Sequence, residues 1–277
     1  MYSILEHYLS TNHILMIGMI VTFILTFFLL EHPFSFLPSD QGRAFAVNGS
    51  LSKGKLRGVG FIFVLCFLIS SVLFLPIDVE YVIYAILLFA MMISGYLDDA
   101  SKTPWNEYKK GLIDLVISVV AVLTYMNFNS TTICFGADEI VIPKALFLIL
   151  GVILIWVSVN VTNCTDGVDG LCASLCSVTL LAFGVLFAPI LQKYAMANFL
   201  FLSVLFAYLY FNSSPSSMLM GDAGSRALGF YIAVIALKST HPFIYILLAA
   251  VMIVDGGIGL VKIALKRFLK ISILKKT

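Results

Sequence analysis

The sequence alternates long apolar runs with short polar stretches. Nine of these runs are long enough, or nearly so, to cross the hydrocarbon layer of a membrane as helices. They occupy His13–Leu30 and residues 59–76, 79–97, 111–127, 144–162, 171–190, 195–211, 227–238 and 243–262, of which the eighth is the shortest. The pattern predicts an all-α polytopic membrane protein with about nine transmembrane helices, folded as one integral membrane domain over residues 1–277.

One polar stretch is predicted to form strands. Between the fourth and fifth runs, two β-prone pieces flank Gly136-Ala-Asp-Glu139, which is typical of a turn. We therefore expect a small extracellular hairpin near residues 130–142. The first run lacks the basic start and the cleavage site of a signal peptide, so it is predicted to remain as a span.

Composition agrees with a membrane protein. The 277 residues are 61% hydrophobic and 12% charged, with a mean hydropathy of +1.04, whereas soluble domains carry about 25% charged residues. The five cysteines form no C-x-x-C pair, and most lie in apolar runs. They are typical of inert buried thiols, and neither a disulfide framework nor a zinc site is predicted.

Charge is distributed unequally between the predicted loops. With the N-terminus outside, one side receives all but three of the 17 basic residues, the exceptions being Lys144, Lys193 and Lys238. The positive-inside rule assigns the basic side to the cytoplasm. The same side receives five carboxylates: Asp98, Asp99, Asp166, Asp169 and Asp222. The sequence thus predicts a cytoplasmic site rich in acidic groups.

Two of the acidic segments lie at predicted helix ends. Asp98 and Asp99 end the third run, and adjacent carboxylates repel each other unless a cation such as Mg²⁺ lies beside them. Asp222 stands between glycines at a predicted helix start, where free N–H groups favour anions. Each segment taken alone is also typical of an ordinary helix end, solvated in the first case and N-capped in the second.

The third segment interrupts two apolar runs with polar residues at a regular spacing. Asn160, Asn163, Asp166 and Asp169 recur every three residues, so a helical turn would place them roughly on one face. Carboxamides and carboxylates together suit a ligand that has both donors and acceptors, such as a nucleobase with its ribose. A purely structural role explains this concentration poorly, because ionisable groups are expensive at membrane depth.

These segments resemble the signature of the polyprenyl-phosphate hexose-1-phosphate transferases, and most of all their phospho-N-acetylmuramoyl-pentapeptide transferase (translocase I) branch. The similarity runs from about residue 40 to the end of the chain. The resemblance is carried by Asp98-Asp99-x-x-Lys102, Asn160-x-x-Asn163-x-x-Asp166-Gly-x-Asp169-Gly-Leu171, Phe211-Asn212-x-x-Pro215 and Gly221-Asp222-x-Gly224-Ser225-x-x-Leu228-Gly229.

The resemblance implies a multi-pass enzyme of the bacterial cell membrane that acts in peptidoglycan synthesis. Such an enzyme transfers phospho-MurNAc-pentapeptide from the UDP-sugar to undecaprenyl phosphate, giving lipid I and UMP with Mg²⁺ as cofactor. The metal would neutralise the diphosphate and stabilise the charge on the leaving UMP. No nucleic-acid partner is implied, and the large apolar outer faces are compatible with a homodimer.

The resemblance also implies roles for the matching residues. Asp98, Asp99 and Asp222 would be the catalytic acids. Asp222 would bind the metal with help from Asp99, and Asp98 would bind or deprotonate the lipid phosphate. The expected substrate-binding residues are Lys102, Asn160, Asn163, Asp166, Asp169, Asn212 and Leu219. Relatives often carry an aromatic residue that stacks on uracil at the position of Leu219, so the contact is expected to be weaker here or to come from another residue.

Two departures and two alternatives accompany the resemblance. The family has a histidine-rich loop after its ninth span and then a tenth span, and this chain ends about where that loop would begin, which puts the activity of these residues alone in question. The first basic loop follows the family only loosely, which leaves open whether Lys53 or Lys55 faces a phosphate. A sibling enzyme that transfers GlcNAc-1-phosphate from UDP-GlcNAc is the nearest alternative. An ion-coupled transporter is the remote one, because its acids would lie near mid-membrane on broken helices.

Overall fold

The computed structural model describes residues 1–32, 34–40, 42, 52–101, 103, 105–136 and 138–265. In these residues the chain is almost entirely helical. The helices are α1 Tyr2–Leu5, α2 Thr11–Glu31, α3 Gly60–Phe74, α4 Val79–Asp99, α5 Glu107–Phe128, α6 Lys144–Thr165, α7 Leu171–Leu186, α8 Ala188–Leu191, α9 Lys193–Asn212, α10 Gly221–Lys238, α11 Pro242–Leu248 and α12 Ala250–Ala264.

Each of the nine apolar runs coincides with helix. Within the described part of the chain, α2, α4, α5, α6 and α9 are long and apolar enough to cross a membrane, and the bent pair α11–α12 would make a sixth span. Two further apolar helices, α3 and α7, are shorter. The predicted all-α polytopic class is confirmed.

Two runs differ in detail from their prediction. The eighth was expected over 227–238, but α10 begins at Gly221, which itself has a left-handed φ of 67°. The ninth was expected as one helix, but it bends by 82° between α11 and α12.

Polar side chains fix where two of the long helices begin. The Asp78 carboxylate accepts a hydrogen bond from the Tyr81 N–H at the start of α4. Asn106 accepts one from the Tyr108 N–H at the start of α5. Because the first N–H groups of a helix have no intrahelical partner, these caps satisfy donors that would otherwise be orphaned.

The helix α10 lies at the centre of the bundle, with every residue from Gly221 to Leu237 buried. It packs mainly against α4 and α6, and also against α3 and α7. Small residues permit this close packing: a Cβ at Gly60 would lie 2.1 Å from the Gly224 backbone nitrogen. Small residues serve the same purpose at membrane helix contacts generally.

The two ends of α10 carry opposite features. At the Lys238 end, the ammonium lies 3.0 Å from the Glu80 carboxylate and 2.7 Å from the Asn129 carboxamide oxygen, which joins the start of α4 to the end of α5. The predicted hairpin is also at this end, since the Cys134 N–H donates to the Thr240 carbonyl. At the other end of α10 stands Asp222.

The hairpin itself has the expected position. Strands β1, Thr132–Phe135, and β2, Asp138–Val141, pair antiparallel, with Thr132 opposite Val141 and Phe135 opposite Asp138. Its extracellular placement stays a prediction.

Candidate functional site

The carboxylates of Asp98, Asp99 and Asp222 meet where the end of α4 packs against the start of α10. The Asp99 carboxylate accepts a hydrogen bond of 3.0 Å from the Ala223 N–H, one of the free donors at the start of α10. Two glycines make the approach possible. A Cβ at Gly221 would lie 2.3 Å from Asp99 Oδ2, and one at Gly95 would lie 2.3 Å from the Asp222 carbonyl oxygen.

The approach at Gly95 can be tested by adding one methyl group. We expect Gly95→Ala to lower the temperature of unfolding in detergent and to reduce activity strongly, because overpacking costs about 1–3 kcal/mol and α10 must shift together with Asp222. Gly111→Ala in α5 is the matched control, since a Cβ there meets nothing within 4 Å. Equal behaviour of the two variants would contradict the close contact.

Arg57 is the first of two cations that bind these acids. Its Nε lies 2.8 Å from Asp99 Oδ1, its Nη1 lies 3.3 Å from Asp40 Oδ1, and its Nη2 lies 3.4 Å from Asp222 Oδ1. Burial by itself lowers the pKa of the guanidinium, but the charges of Asp99, Asp222 and Asp40 more than compensate and leave that pKa above its usual value. Arg57 therefore stays protonated.

Lys110 is the second cation, and it bridges Asp98 and Asp222. Its ammonium forms an ion pair with Asp98 Oδ2 and lies 3.1 Å from Asp222 Oδ2. The other oxygen of Asp98 accepts a hydrogen bond of 2.7 Å from the Trp105 N–H. Asp98 therefore both anchors a cation and fixes the chain that enters α5.

Exposure differs between the two kinds of charge. The side chains of Arg57 and Lys110 are 30% and 19% exposed, whereas those of Asp99 and Asp98 are 0% and 4% exposed. The open side of the cluster therefore presents cations, and the acids lie beneath them. A phosphorylated ligand would meet positive charge first.

A neighbouring group of contacts joins the loop after α6 to the loop before α10. Asp169 Oδ2 accepts a hydrogen bond of 3.0 Å from the Ser216 N–H and lies 3.5 Å from the Lys55 ammonium. Burial raises the pKa of the Asp169 carboxyl, but the hydrogen bonds from Ser216 and the charge of Lys55 outweigh it and leave that pKa below its usual value. Of the two lysines left open by the sequence, Lys55 makes this contact.

Three residues of the central segment have different positions. The Asn163 carboxamide donates to the Ser225 hydroxyl at 2.9 Å, which joins α6 to α10. Asp166 ends α6 at the same end of the bundle. The Asn160 carboxamide donates to the Trp156 carbonyl on its own helix at 2.8 Å.

The remaining predicted residues frame the site or cannot be placed. Asn212 is buried, accepts from the Gly170 N–H at 3.0 Å and donates to the Met218 carbonyl at 2.8 Å. The buried Leu219 pairs through its backbone with Leu56 and Val59. Lys102 lies outside the described residues. The substrate roles assigned to these three residues stay predictions.

Sequence reasoning missed five charged residues. Arg57 and Lys110 were counted only as loop cations, and Asp40 was not considered. Asp114 and Arg226, both buried, form an ion pair behind Asp222. Asp114 could have been found to need a cation, because it lies inside the apolar run 111–127 and ionisable groups at membrane depth usually pair.

The acids can be tested as a magnesium site. Within the described ranges no group of three or more His, Cys, Asp or Glu side chains is arranged to hold a metal by itself. Mg²⁺ usually binds through one or two carboxylates together with substrate phosphates. The four carboxylates of Asp40, Asp98, Asp99 and Asp222 outnumber the two cations that they contact, Arg57 and Lys110. A divalent cation would offset that excess, so the residues fit Mg²⁺ shared with a diphosphate.

The fold and the site together define a polytopic membrane protein whose charged site lies at one end of its helices and suits phosphorylated ligands. Residues 81–240 match the model of glycosyl transferase family 4. The chain is 36% identical to the phospho-N-acetylmuramoyl-pentapeptide-transferase of Treponema pallidum (strain Nichols), over 94% of this chain and 78% of that protein. The proteins of the same name from Halalkalibacterium halodurans and Dictyoglomus turgidum are 28% and 25% identical, each over 88% of this chain and over 81% and 80% of their own lengths.

The chain therefore belongs to glycosyl transferase family 4, among relatives named phospho-N-acetylmuramoyl-pentapeptide transferase. The family predicted from the three polar segments is confirmed, and with it the prediction of a transferase.

Proposed function

We propose that this protein transfers phospho-MurNAc-pentapeptide from UDP-MurNAc-pentapeptide to undecaprenyl phosphate, giving lipid I and UMP in peptidoglycan synthesis. The observation that carries the proposal is the cluster of Asp98, Asp99 and Asp222 under Arg57 and Lys110, in a chain 36% identical to a relative of that name. An oxygen of the lipid phosphate attacks the sugar-bearing phosphorus of the diphosphate. The bond from that phosphorus to the bridging oxygen breaks, and UMP leaves with the electron pair.

Charge repulsion is the main obstacle to this reaction, since one phosphate must attack another. Arg57 and Lys110 lie at the exposed side of the cluster, where they can neutralise phosphate oxygens and hold the reactants in line. Mg²⁺, held by Asp222 and Asp99 together with the diphosphate, would stabilise the charge on the departing UMP. We favour positioning of the lipid phosphate by Asp98 over strong base catalysis, because the second pKa of a phosphate monoester is about 6.

The orientation proposed for the membrane follows the positive-inside rule. Lys144, Lys193 and Lys238 stand at the helix ends opposite the acid cluster. The described basic residues at the site end include Lys53, Lys55, Arg57, Lys109, Lys110 and Arg226. The site end is therefore proposed to face the cytoplasm, where UDP-sugars are available, and the lipid phosphate would reach it from the bilayer. A homodimer stays a prediction.

The proposal is tested by transfer from radiolabelled UDP-MurNAc-pentapeptide and from UDP-GlcNAc to undecaprenyl phosphate, with Mg²⁺ and with EDTA. Lipid I formation that requires Mg²⁺ is expected. Transfer of GlcNAc-1-phosphate instead would assign the chain to the sibling reaction. Absence of both products would overturn the proposed function.

The role of Asp98 makes a separate prediction. Asp98→Asn should reduce turnover by about a hundredfold, because a neutral side chain can still accept from the Trp105 N–H but no longer holds the Lys110 charge in place. Initial rates at varied lipid phosphate distinguish a loss in kcat from a rise in KM. Near-normal rates at all concentrations would remove Asp98 from the reaction.

A further inference from the structure

Arg57 contacts one oxygen of Asp99 and one oxygen of Asp222. Asp99 Oδ2 receives the Ala223 N–H, and Asp222 Oδ2 receives Lys110. The other oxygen of each carboxylate, Asp99 Oδ1 and Asp222 Oδ1, faces the Arg57 guanidinium, at 2.8 Å from Nε and 3.4 Å from Nη2. A divalent cation bound between these two carboxylates therefore needs the position that the guanidinium fills.

Hydrogen bonds hold the backbone around Arg57 in place, whereas one side of the Arg57 side chain is exposed to solvent. The Arg57 N–H donates to the Pro38 carbonyl at 2.8 Å, and the Val59 N–H donates to the Leu219 carbonyl at 3.3 Å. The side chain is nevertheless 30% exposed. A movement of the guanidinium toward solvent would need only side-chain rotations, with the loop left in place.

The chemistry of guanidinium fits such an exchange. Its planar donors match the oxygens of carboxylates and phosphates equally well, so it can bind either partner without a change of protonation. The carboxylates of Asp99 and Asp222 both contact the guanidinium. If it moves away, they repel each other unless another positive charge replaces it. A diphosphate that binds together with a divalent cation meets both needs. The diphosphate gives the guanidinium a new anionic partner, and the divalent cation takes the place of the guanidinium between the carboxylates.

We propose that Arg57 is an exchangeable internal cation: it holds Asp99 and Asp222 together in the free enzyme, and it turns to the substrate's diphosphate when these carboxylates bind a divalent cation. The proposal rests on the proposed function and adds to it the exchange of Arg57 between the two carboxylates and the diphosphate. It also predicts that Arg57 competes with the metal in the absence of nucleotide.

The test measures binding on the purified full chain in detergent, without catalysis. The probes are Mn²⁺, followed by electron paramagnetic resonance, and UDP, followed by calorimetry with Mg²⁺ present. Arg57→Gln should bind Mn²⁺ about tenfold more tightly than the wild type without nucleotide, because a charged hydrogen-bonding competitor is gone. The same variant should bind UDP with Mg²⁺ about tenfold more weakly, because a phosphate contact is lost.

Three further variants make the result specific. Arg57→Lys keeps the charge but loses the planar pair of donors. It should retain a Mn²⁺ affinity near that of the wild type and bind UDP with Mg²⁺ more weakly, which tests the phosphate contact if Arg57→Gln fails to fold. Lys110→Gln removes the same charge from the site but should tighten Mn²⁺ binding less, because Lys110 holds different oxygens. Lys193→Gln, at the opposite end of the bundle, should change neither affinity.

The possible failures are distinguishable. Equal tightening by Arg57→Gln and Lys110→Gln would overturn the proposal, since overall charge alone would then explain it. Unchanged Mn²⁺ or UDP binding in Arg57→Gln would overturn it too, while wild-type binding of both probes would leave the proposed function standing. A wild type that binds neither probe would overturn both proposals.

Discussion

The Asp222→Asn variant is expected to lose transfer activity by about a thousandfold while it remains folded. A carboxamide has nearly the same shape as the carboxylate, and three carboxylates would still face Arg57 and Lys110. What disappears is the charge that joins both cations, together with the proposed metal ligand. Initial rates of lipid I formation measure the loss, and the temperature of unfolding in detergent reports the fold.

Asp78→Asn is the matched control for this variant. Asp78 precedes α4, whereas Asp98 and Asp99 end it, and a helix of this length spans about 30 Å. Asn caps helices as well as Asp does, so both activity and unfolding temperature should stay near wild type. Activity of Asp222→Asn within tenfold of wild type would remove Asp222 from the catalytic centre.

Asp114→Leu is expected to cause the largest loss of stability, about 3–5 kcal/mol, because it leaves the Arg226 charge buried without its partner. Arg226 is 2% exposed, its Nη2 pairs with Asp114 Oδ1, and its Nε and Nη1 have no hydrogen-bond partner among the described residues. The double variant Asp114→Leu/Arg226→Leu should recover most of the loss. Thermal unfolding of the single and double variants measures the coupling between the two residues.

An exposed ion pair provides the comparison for the buried one. Lys193 pairs with Asp78, whose side chain is 53% exposed, and such pairs contribute about 0–1 kcal/mol. Lys193→Gln should therefore unfold near the wild-type temperature. If the double variant is as unstable as Asp114→Leu, the loss arises from packing around Asp114 and not from an unpaired charge.

Arg226 also stands one helical turn after Asp222 on α10, which relates the buried pair to the site. The double variant therefore separates two effects. If it recovers stability but not activity, the Arg226 charge is needed by the acid cluster through its effect on Asp222. If both recover, the pair is purely structural.

The apolar runs were sufficient to predict the helices. In the hydrocarbon layer no water is present, so the N–H and C=O groups of the backbone must form hydrogen bonds within each helix. This local rule does not decide where a helix begins or where it bends, and the predictions differ from the structure at those points. No pattern of apolar residues indicates that the ninth run bends by 82°, or that α10 begins at Gly221, since both depend on packing against neighbours.

The sequence by itself determined the all-α membrane class, the hairpin, the family, and the segments that carry Asp98, Asp99 and Asp222, because each of these depends on local patterns along the chain. The cations that complete the site were decided only by the tertiary structure. Arg57 lies 42 residues from Asp99 and Lys110 lies 112 residues from Asp222 in sequence. No local rule connects such pairs. They meet because Gly60, Gly95 and Gly221 let α3 and α4 pack directly against the start of α10.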